Sequence, residues 1–302
     1  MATIHTAVAL GTFDGVHRGH ERIINTLLDE ARRIDATPVV VTFFPHPSHV
    51  LTPGSPLKLI NSLDERLMLI RSKGVSQIHV ETFTREFSAL TASEYVTQTL
   101  IGELKMKSLI IGYDHRFGKD KGGGFEELSA LGGKLGFRVI RVPALLDEQG
   151  EIISSTRIRK LLTEGRIEAA TRLLGHDFCL FGTVVRGNRL GRKIGFETAN
   201  IVLDYDNKII PAHGVYIVRS TIDGAVKYGM MNIGNRPTVD GKTRTIEVHF
   251  LNTKSDLYDR KIRITLLHRI RDELKFSSLD ELKEQLQRDK IYTLEYLNQP
   301  NR

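Results

Sequence analysis

The first 142 residues alternate short apolar runs with amphipathic stretches, and few folds accept that rhythm. Ala7 to Leu10 is an apolar run, and Ile23, Ile24, Leu27, Leu28 and Ala31 follow at helical spacing. The alternation continues with a strand over Val39 to Phe44, a helix over Leu63 to Arg71, a strand over Ile78 to Val80 and a helix over Ala92 to Leu104. It closes with a strand at Leu109 to Ile111, a helix over Phe125 to Leu135 and a strand at Val139 to Val142. A helix between successive strands predicts a parallel sheet covered by helices, with ligands at the carboxyl ends of the strands.

Two more helical stretches, Thr156 to Leu162 and Ile167 to Leu174, precede Gly175, which suits a helix stop. The rhythm then changes. Thr183 to Val185, Val215 to Thr221, Val226 to Met231, Arg244 to Leu251 and Ile262 to Leu267 read as strands, with Asp223-Gly224 as a hairpin turn. This half is expected to be antiparallel β, closed as a barrel. Ser278-Leu279-Asp280-Glu281 then announces a C-terminal helix by a capping-box pattern. The boundary is placed near residue 178, giving domains 1–178 and 179–302, in keeping with about 150 residues per domain.

Composition excludes some classes of function. No apolar run approaches the roughly 20 residues that span a bilayer, and the N-terminus shows no secretory signal. One cysteine, Cys179, can form neither an internal disulfide nor a cysteine metal cluster, which agrees with a reducing, cytoplasmic setting. Lys plus Arg number 43 against 36 for Asp plus Glu, a net charge of +7 that would suit nucleic acid or phosphorylated small molecules equally. Without zinc-finger spacing or an aromatic RNA-binding signature, small molecules are the expected partners, not nucleic acid or membrane.

The strongest chemical signal follows the first strand: Gly11-Thr12-Phe13-Asp14-Gly15-Val16-His17-Arg18-Gly19-His20, running into a helix. A glycine-rich turn lets backbone approach phosphates, and the helix N-terminus adds N–H donors. The two histidines flanking Gly19 can stabilise charge building on an α-phosphate as pyrophosphate leaves. Neither the P-loop pattern nor the dinucleotide G-x-G-x-x-G occurs here, so ordinary NTPases and dehydrogenases lose ground. At the start of a later helix, Ser155, Thr156 and Arg159 of SSTRIR offer hydroxyls and a guanidinium to the same triphosphate, although N-capping alone explains one hydroxyl.

In the second half, Gly187 to Gly195 form a glycine-rich loop with Arg189, Arg192 and Lys193, suited to holding phosphate. Thr198 and Asn200, two residues apart, can serve as hard oxygen ligands for Mg²⁺. In the strand Ile246-Glu247-Val248-His249-Phe250, alternation turns Glu247 away from the apolar face, where a general base for an alcohol would be useful.

GTFDGVHRGH, TFFPHP at Thr42 to Pro47, GYDHRFGKDKGG at Gly112 to Gly123 and SSTRIR together resemble the N-terminal half of the bacterial bifunctional riboflavin kinase/FMN adenylyltransferase (FAD synthetase) family. The second half resembles that family's flavokinase domain in GTVVRGNRLGRKIGF, Gly214-Val215-Tyr216, NIGNRPT at Asn232 to Thr238, IEVHF, Asp256-Leu257-Tyr258 and Ile270 to Phe276. The resemblance implies a Rossmann-like α/β nucleotidyltransferase domain followed by a six-stranded antiparallel barrel with a C-terminal helix. It implies that His17 and His20 carry adenylyl transfer, that Gly11, Phe13 and Asp14 shape the ATP pocket, and that Ser155, Thr156 and Arg159 bind its phosphates. Asp114 and Phe117 would lie beside nucleotide and flavin. In the barrel, Thr198 and Asn200 would hold Mg²⁺ and ATP, Arg192 would reach a phosphate, and Glu247 would take the proton from the ribityl 5′-hydroxyl. Arg271 and Glu273, in the IRDELKF segment, would close over the flavin. The implied substrates and products are ATP, riboflavin, FMN and FAD.

Among the departures from the family pattern, His115 and Glu197 bear on the proposed sites, while Asp259 and Thr253-Lys254 read as surface variation. His115 stands where many members have Phe, keeping a flat ring. Glu197 stands where Pro is usual, beside the proposed metal ligands. A carboxylate about 4 Å from a phosphate would oppose each negative charge by roughly 1 kcal/mol in water and about 4 kcal/mol in a shielded site. The sequence therefore leaves open an alternative in which only the adenylyltransferase works and the barrel binds flavin or regulates. A nucleotide- or RNA-binding regulator on a reused enzyme fold is a more distant one.

Overall fold

The structure, a computed structural model, describes residues 5–52, 54–119, 123–187, 195–238, 241–253 and 256–299. The chain divides into two compact units, 1–155 and 156–302. The sequence rhythm changes near residue 178, later than this division. Helices Ser155–Thr163 and Ile167–Leu174 explain the offset, since the second leans on the barrel through an ion pair between Glu168 and His268.

The first unit is a five-stranded parallel sheet in the order β3-β2-β1-β4-β5. Its strands are β1 (Thr6–Leu10), β2 (Thr37–Phe44), β3 (Gln77–Thr82), β4 (Met106–Gly112) and β5 (Arg138–Val142). Side chains alternate across the sheet, so each strand feeds two cores. Val8, Leu10, Val39, Val41, Phe43, Leu109 and Ile111 pack with Tyr95, Leu100 and Leu128 on one face. Ala7, Ala9, Val40 and Ile110 pack on the other against Ile24, Leu27 and Ala31 of helix α1 (Arg18–Arg33) and against Ile70. The order reverses between β1 and β4, so the turns leaving these two neighbours open a crevice at the carboxyl edge.

The expected helix over Ala92 to Leu104 is α-helical only at Ala92–Tyr95 and continues as a π-helix over Val96–Glu103. Its wider turn still buries Val96 and Leu100, which apolar spacing alone could not tell from α. On α1, buried Glu30 accepts from Arg33 and from the Ser108 hydroxyl, at 2.6 Å. The Arg33 hydrogen bond is the main reason its carboxyl lies below the ordinary range.

The second unit is a closed barrel in the order β10-β7-β6-β11-β8-β9. Its strands are β6 (Cys179–Val185), β7 (Ala199–Leu203), β8 (Gly214–Ile222), β9 (Ala225–Thr238), β10 (Gly241–Phe250) and β11 (Lys261–Arg271), all paired antiparallel. Strand β7, which completes the six, is only five residues long, too short for its spacing to announce it. Asp223 and Gly224 take φ of 52° and 76°, and Ile222 pairs with Ala225 across the two-residue turn, as the hairpin reading expects. The C-terminal helix Leu279–Leu297 starts at Ser278, whose hydroxyl accepts from the Glu281 N–H. Buried Asp289 on that helix holds the end of β11 by accepting from Arg271 Nη2 at 2.7 Å.

Candidate active sites

Beyond Leu10 the chain turns through residues 11–17 into α1. Phe13 and Val16 adopt φ of 51° and 41°, left-handed values that residues with side chains avoid. Such strain, on the order of 1–3 kcal/mol each, persists only where surroundings over-determine the backbone. Here they do. Phe13 is buried, the Thr12 carbonyl accepts from the Thr42 hydroxyl at 3.0 Å, and the Ser155 hydroxyl donates to the Asp14 carbonyl at 2.8 Å. The Asp14 carboxylate, 2% exposed, accepts from the backbone N–H of Ile60 at 3.0 Å and of Asn61 at 3.1 Å. Asp14 thus shapes the turn from behind.

His17 is the N-cap of α1, its Nδ1 accepting from the His20 N–H at 3.3 Å. An acceptor Nδ1 leaves the proton of the neutral ring on Nε2. The rings of His17 and His20 stack with centroids 3.7 Å apart, and Phe13 lies 5.2 Å from His20. Gly19 makes this possible, because a Cβ there would stand 3.0 Å from the His17 ring and 3.4 Å from the Ile153 carbonyl oxygen. Gly11 precedes Phe13, and a Cβ on it would come within 3.2 Å of the Phe13 ring.

The loop after β4 leaves the same edge of the sheet, since β4 pairs parallel with β1. It carries exposed Asp114, then His115 and Phe117. Phe117 packs edge-on to Tyr95 at 5.9 Å, and His115 lies 5.5 Å from Phe117. Burial pulls His115 down to about 4, so its ring is neutral at neutral pH. Thr156 and Arg159 occupy the first turn of the helix that Ser155 opens. Ser155 is thereby tied to the turn of Asp14, while Thr156 and Arg159 begin the second unit.

In the barrel, Glu247 of β10 sits between two amides: it pairs with Asn200 of β7 on one side and Asn232 of β9 on the other. Its carboxylate accepts from the Thr198 hydroxyl at 3.3 Å. Thr198, Asn200 and Glu247 therefore form one group of hard oxygen donors, the chemistry that Mg²⁺ prefers. Gly187 is required beside it, because a Cβ there would stand 2.1 Å from the Asn200 amide nitrogen. Gly195 has a left-handed φ of 83°, and Arg192 lies outside the described residues.

Glu197 is exposed, and its carbonyl accepts from His249 Nδ1 at 2.8 Å. The His249 ring packs 5.0 Å from that of buried Phe196, and burial lowers its affinity for a proton. These contacts hold the chain entering β7 against β10. The Glu273 carboxylate fills the space where a Cβ at position 234 would stand, 2.2 Å from it. Arg271, by contrast, donates from Nε and Nη2 to Asp289 and from Nη1 to the Asp272 carbonyl. Its guanidinium holds the C-terminal helix. Asn232 and His249 escaped sequence reasoning; His249 was legible only as the residue sharing a strand face with Glu247.

The FAD synthetase family profile matches residues 1–157, and the riboflavin kinase profile matches residues 174–297. The chain is 38% identical over 290 residues to the bifunctional riboflavin kinase/FMN adenylyltransferase of Escherichia coli K12, covering 96% of this chain and 92% of that protein. It is 36% identical to the Bacillus subtilis protein of the same description, covering 97% and 93%. A solved Streptococcus pneumoniae chain described as a macrolide-efflux protein is 36% identical, with a TM-score of 0.88 over 97% of this chain and 95% of that one. No helix among the described residues here is long and apolar enough to cross a membrane. With both domains in order and identity running through nearly its whole length, the chain belongs to the family of bifunctional riboflavin kinase/FMN adenylyltransferases.

Proposed function

We propose that the two activities of this family are carried by two separate constellations, one gathered around the turn after β1 and one in the barrel, acting on small molecules in the cytoplasm. In the first unit an FMN phosphate oxygen attacks the α-phosphorus of ATP. The new P–O bond makes FAD as the bond to pyrophosphate breaks. His17 and His20, at the N-terminus of α1, stabilise the charge on the α-phosphoryl oxygens. No general base is needed, because the attacking phosphate is already ionised. Ser155, Thr156 and Arg159 take the departing phosphates, and Asp114 and Phe117 border the nucleotide and flavin.

In the second unit Glu247 takes the proton of the riboflavin 5′-hydroxyl, whose oxygen attacks the γ-phosphorus of ATP to give FMN and ADP. Thr198 and Asn200 would hold Mg²⁺ with the phosphates, and the ion supplies neutralisation of phosphate charge. Gly187, Arg192 and Gly195 form the phosphate loop. Glu273 faces the flavin side, and Arg271 supports that segment through Asp289.

The single observation carrying this reading is the placement of Glu247 between Asn200 and Asn232 with Thr198 on its carboxylate. The exposure of Glu197 favours an active kinase over a silent barrel, since a solvated carboxylate opposes phosphate by only about 1 kcal/mol. The test is a product assay with purified protein, ATP and Mg²⁺, fed riboflavin or FMN. Riboflavin is expected to yield FMN and then FAD. FAD from FMN alone, with riboflavin untouched, would leave the barrel silent.

A further inference from the structure

Arg66 is a charged residue on the helix Leu63–Ser72, yet it is 2% exposed. Burying a guanidinium is costly, and hydrogen bonds offset that cost. Arg66 Nη1 donates to the Thr12 carbonyl and, at 3.2 Å, to the Thr42 hydroxyl; Nη2 donates to the Phe43 carbonyl at 3.2 Å. It therefore ties the turn after β1 to the end of β2, from the core side. The segment leading into that helix is joined to the turn as well, where the Asp14 carboxylate accepts from the Ile60 and Asn61 N–H groups.

Thr12 is the point of interest. Its carbonyl is drawn inward by two donors, Arg66 and Thr42. In a planar trans peptide the C=O and the following N–H point in opposite directions. Fixing the Thr12 oxygen toward Arg66 therefore turns the Phe13 N–H away from it, toward the side from which a ligand approaches. Phe13 holds a left-handed φ of 51°, and among the described residues its N–H meets no acceptor.

We propose that Arg66 is a positioning residue for adenylyl transfer: from inside the core it fixes the Thr12–Phe13 peptide so that the Phe13 N–H faces the phosphate bound at the 11–20 turn. This rests on the reading of that turn as the adenylyl-transfer site. Arg66 never touches substrate. It acts through the orientation of one peptide plane and adds a buried positive charge behind it.

The experiment uses the full chain as wild type, Arg66→Met, Arg66→Lys and Thr42→Val, measuring kcat and ATP KM for FMN adenylylation, riboflavin phosphorylation, and near-ultraviolet circular dichroism. Arg66→Met is expected to lose about 100-fold in adenylylation kcat while ATP KM moves by less than about threefold. Arg66→Lys, able to reach the Thr12 carbonyl, is expected to recover about tenfold of that loss. Thr42→Val, which removes the second donor to the Thr12 carbonyl together with one acceptor of Arg66, should lose about fivefold in kcat, keeping a readout if Arg66→Met does not fold. Riboflavin phosphorylation should be unchanged in all three. A folded Arg66→Met with wild-type kcat overturns the proposal, as does an equal loss in the Lys and Met variants with a disturbed spectrum, which would make the role structural. If wild type makes no FAD from FMN, the reading of the site fails instead.

Discussion

The two units solve phosphate chemistry with opposite means. In the first, the two histidines sit at one strand-to-helix turn within a few residues, and the nearby carboxylate of Asp14 is turned onto backbone N–H groups. In the second the working groups come from separate strands, and the carboxylate of Glu247 faces hydroxyl and amide side chains. The nucleophiles explain the difference. An ionised phosphate needs a stabilised leaving charge and no base; a neutral alcohol needs a carboxylate to take its proton. A parallel sheet offers helix N-termini for the first task, and an antiparallel barrel offers rigid cross-strand neighbours for the second.

If the contrast is real, damage to one site should spare the other. The largest effect is expected at the tightest backbone approaches. Gly187→Ala, whose Cβ would overlap the Asn200 amide at 2.1 Å, should cut riboflavin phosphorylation about 100-fold and leave FMN adenylylation alone. Gly19→Ala, at 3.0 Å from the His17 ring, should do the reverse by about tenfold. Steady-state rates of both reactions on each variant check the pair, and a joint loss in either variant would break the comparison.

A stability measurement sharpens it further. Asp289 is 2% exposed, and truncating it leaves the Arg271 guanidinium without its bidentate partner. Asp289→Ala should therefore destabilise the barrel by about 3 kcal/mol. Chemical denaturation followed by riboflavin phosphorylation should show the lower midpoint, while adenylylation survives to the wild-type midpoint. The smallest effect is expected at Glu197. Glu197→Pro should change riboflavin phosphorylation by less than about fivefold, because the side chain it replaces is exposed and screened. A gain of 100-fold would mean that the carboxylate does oppose the phosphates.

Much of the first unit was legible because its rhythm and its turn motif are local. His17, Gly19 and His20 are near neighbours in sequence, and the structure stacks the histidines across the glycine. What remained hidden depends on distant partners. Arg66 is buried because its partners are Thr12, Thr42 and Phe43, which lie far from it in sequence. Strand β7 carries one fully buried apolar side chain, Ile201, and is a strand because β6 and β10 hold it on both sides. The motif containing Arg271 was legible, but its ion pair with a residue eighteen positions later was not. Sequence spacing carries periodicity and short motifs; it carries no record of which polar side chains end up facing each other.

The central claim is that one chain holds two chemically distinct sites, and the most direct test is the product balance of two single variants. His20→Ala and Glu247→Ala would each be supplied with ATP and Mg²⁺, and with riboflavin or FMN in parallel, and FMN and FAD separated by chromatography. His20→Ala should turn riboflavin into FMN at the wild-type rate and make no FAD, whereas Glu247→Ala should make FAD from FMN and leave riboflavin unchanged. Loss of both products in either folded variant would contradict the account.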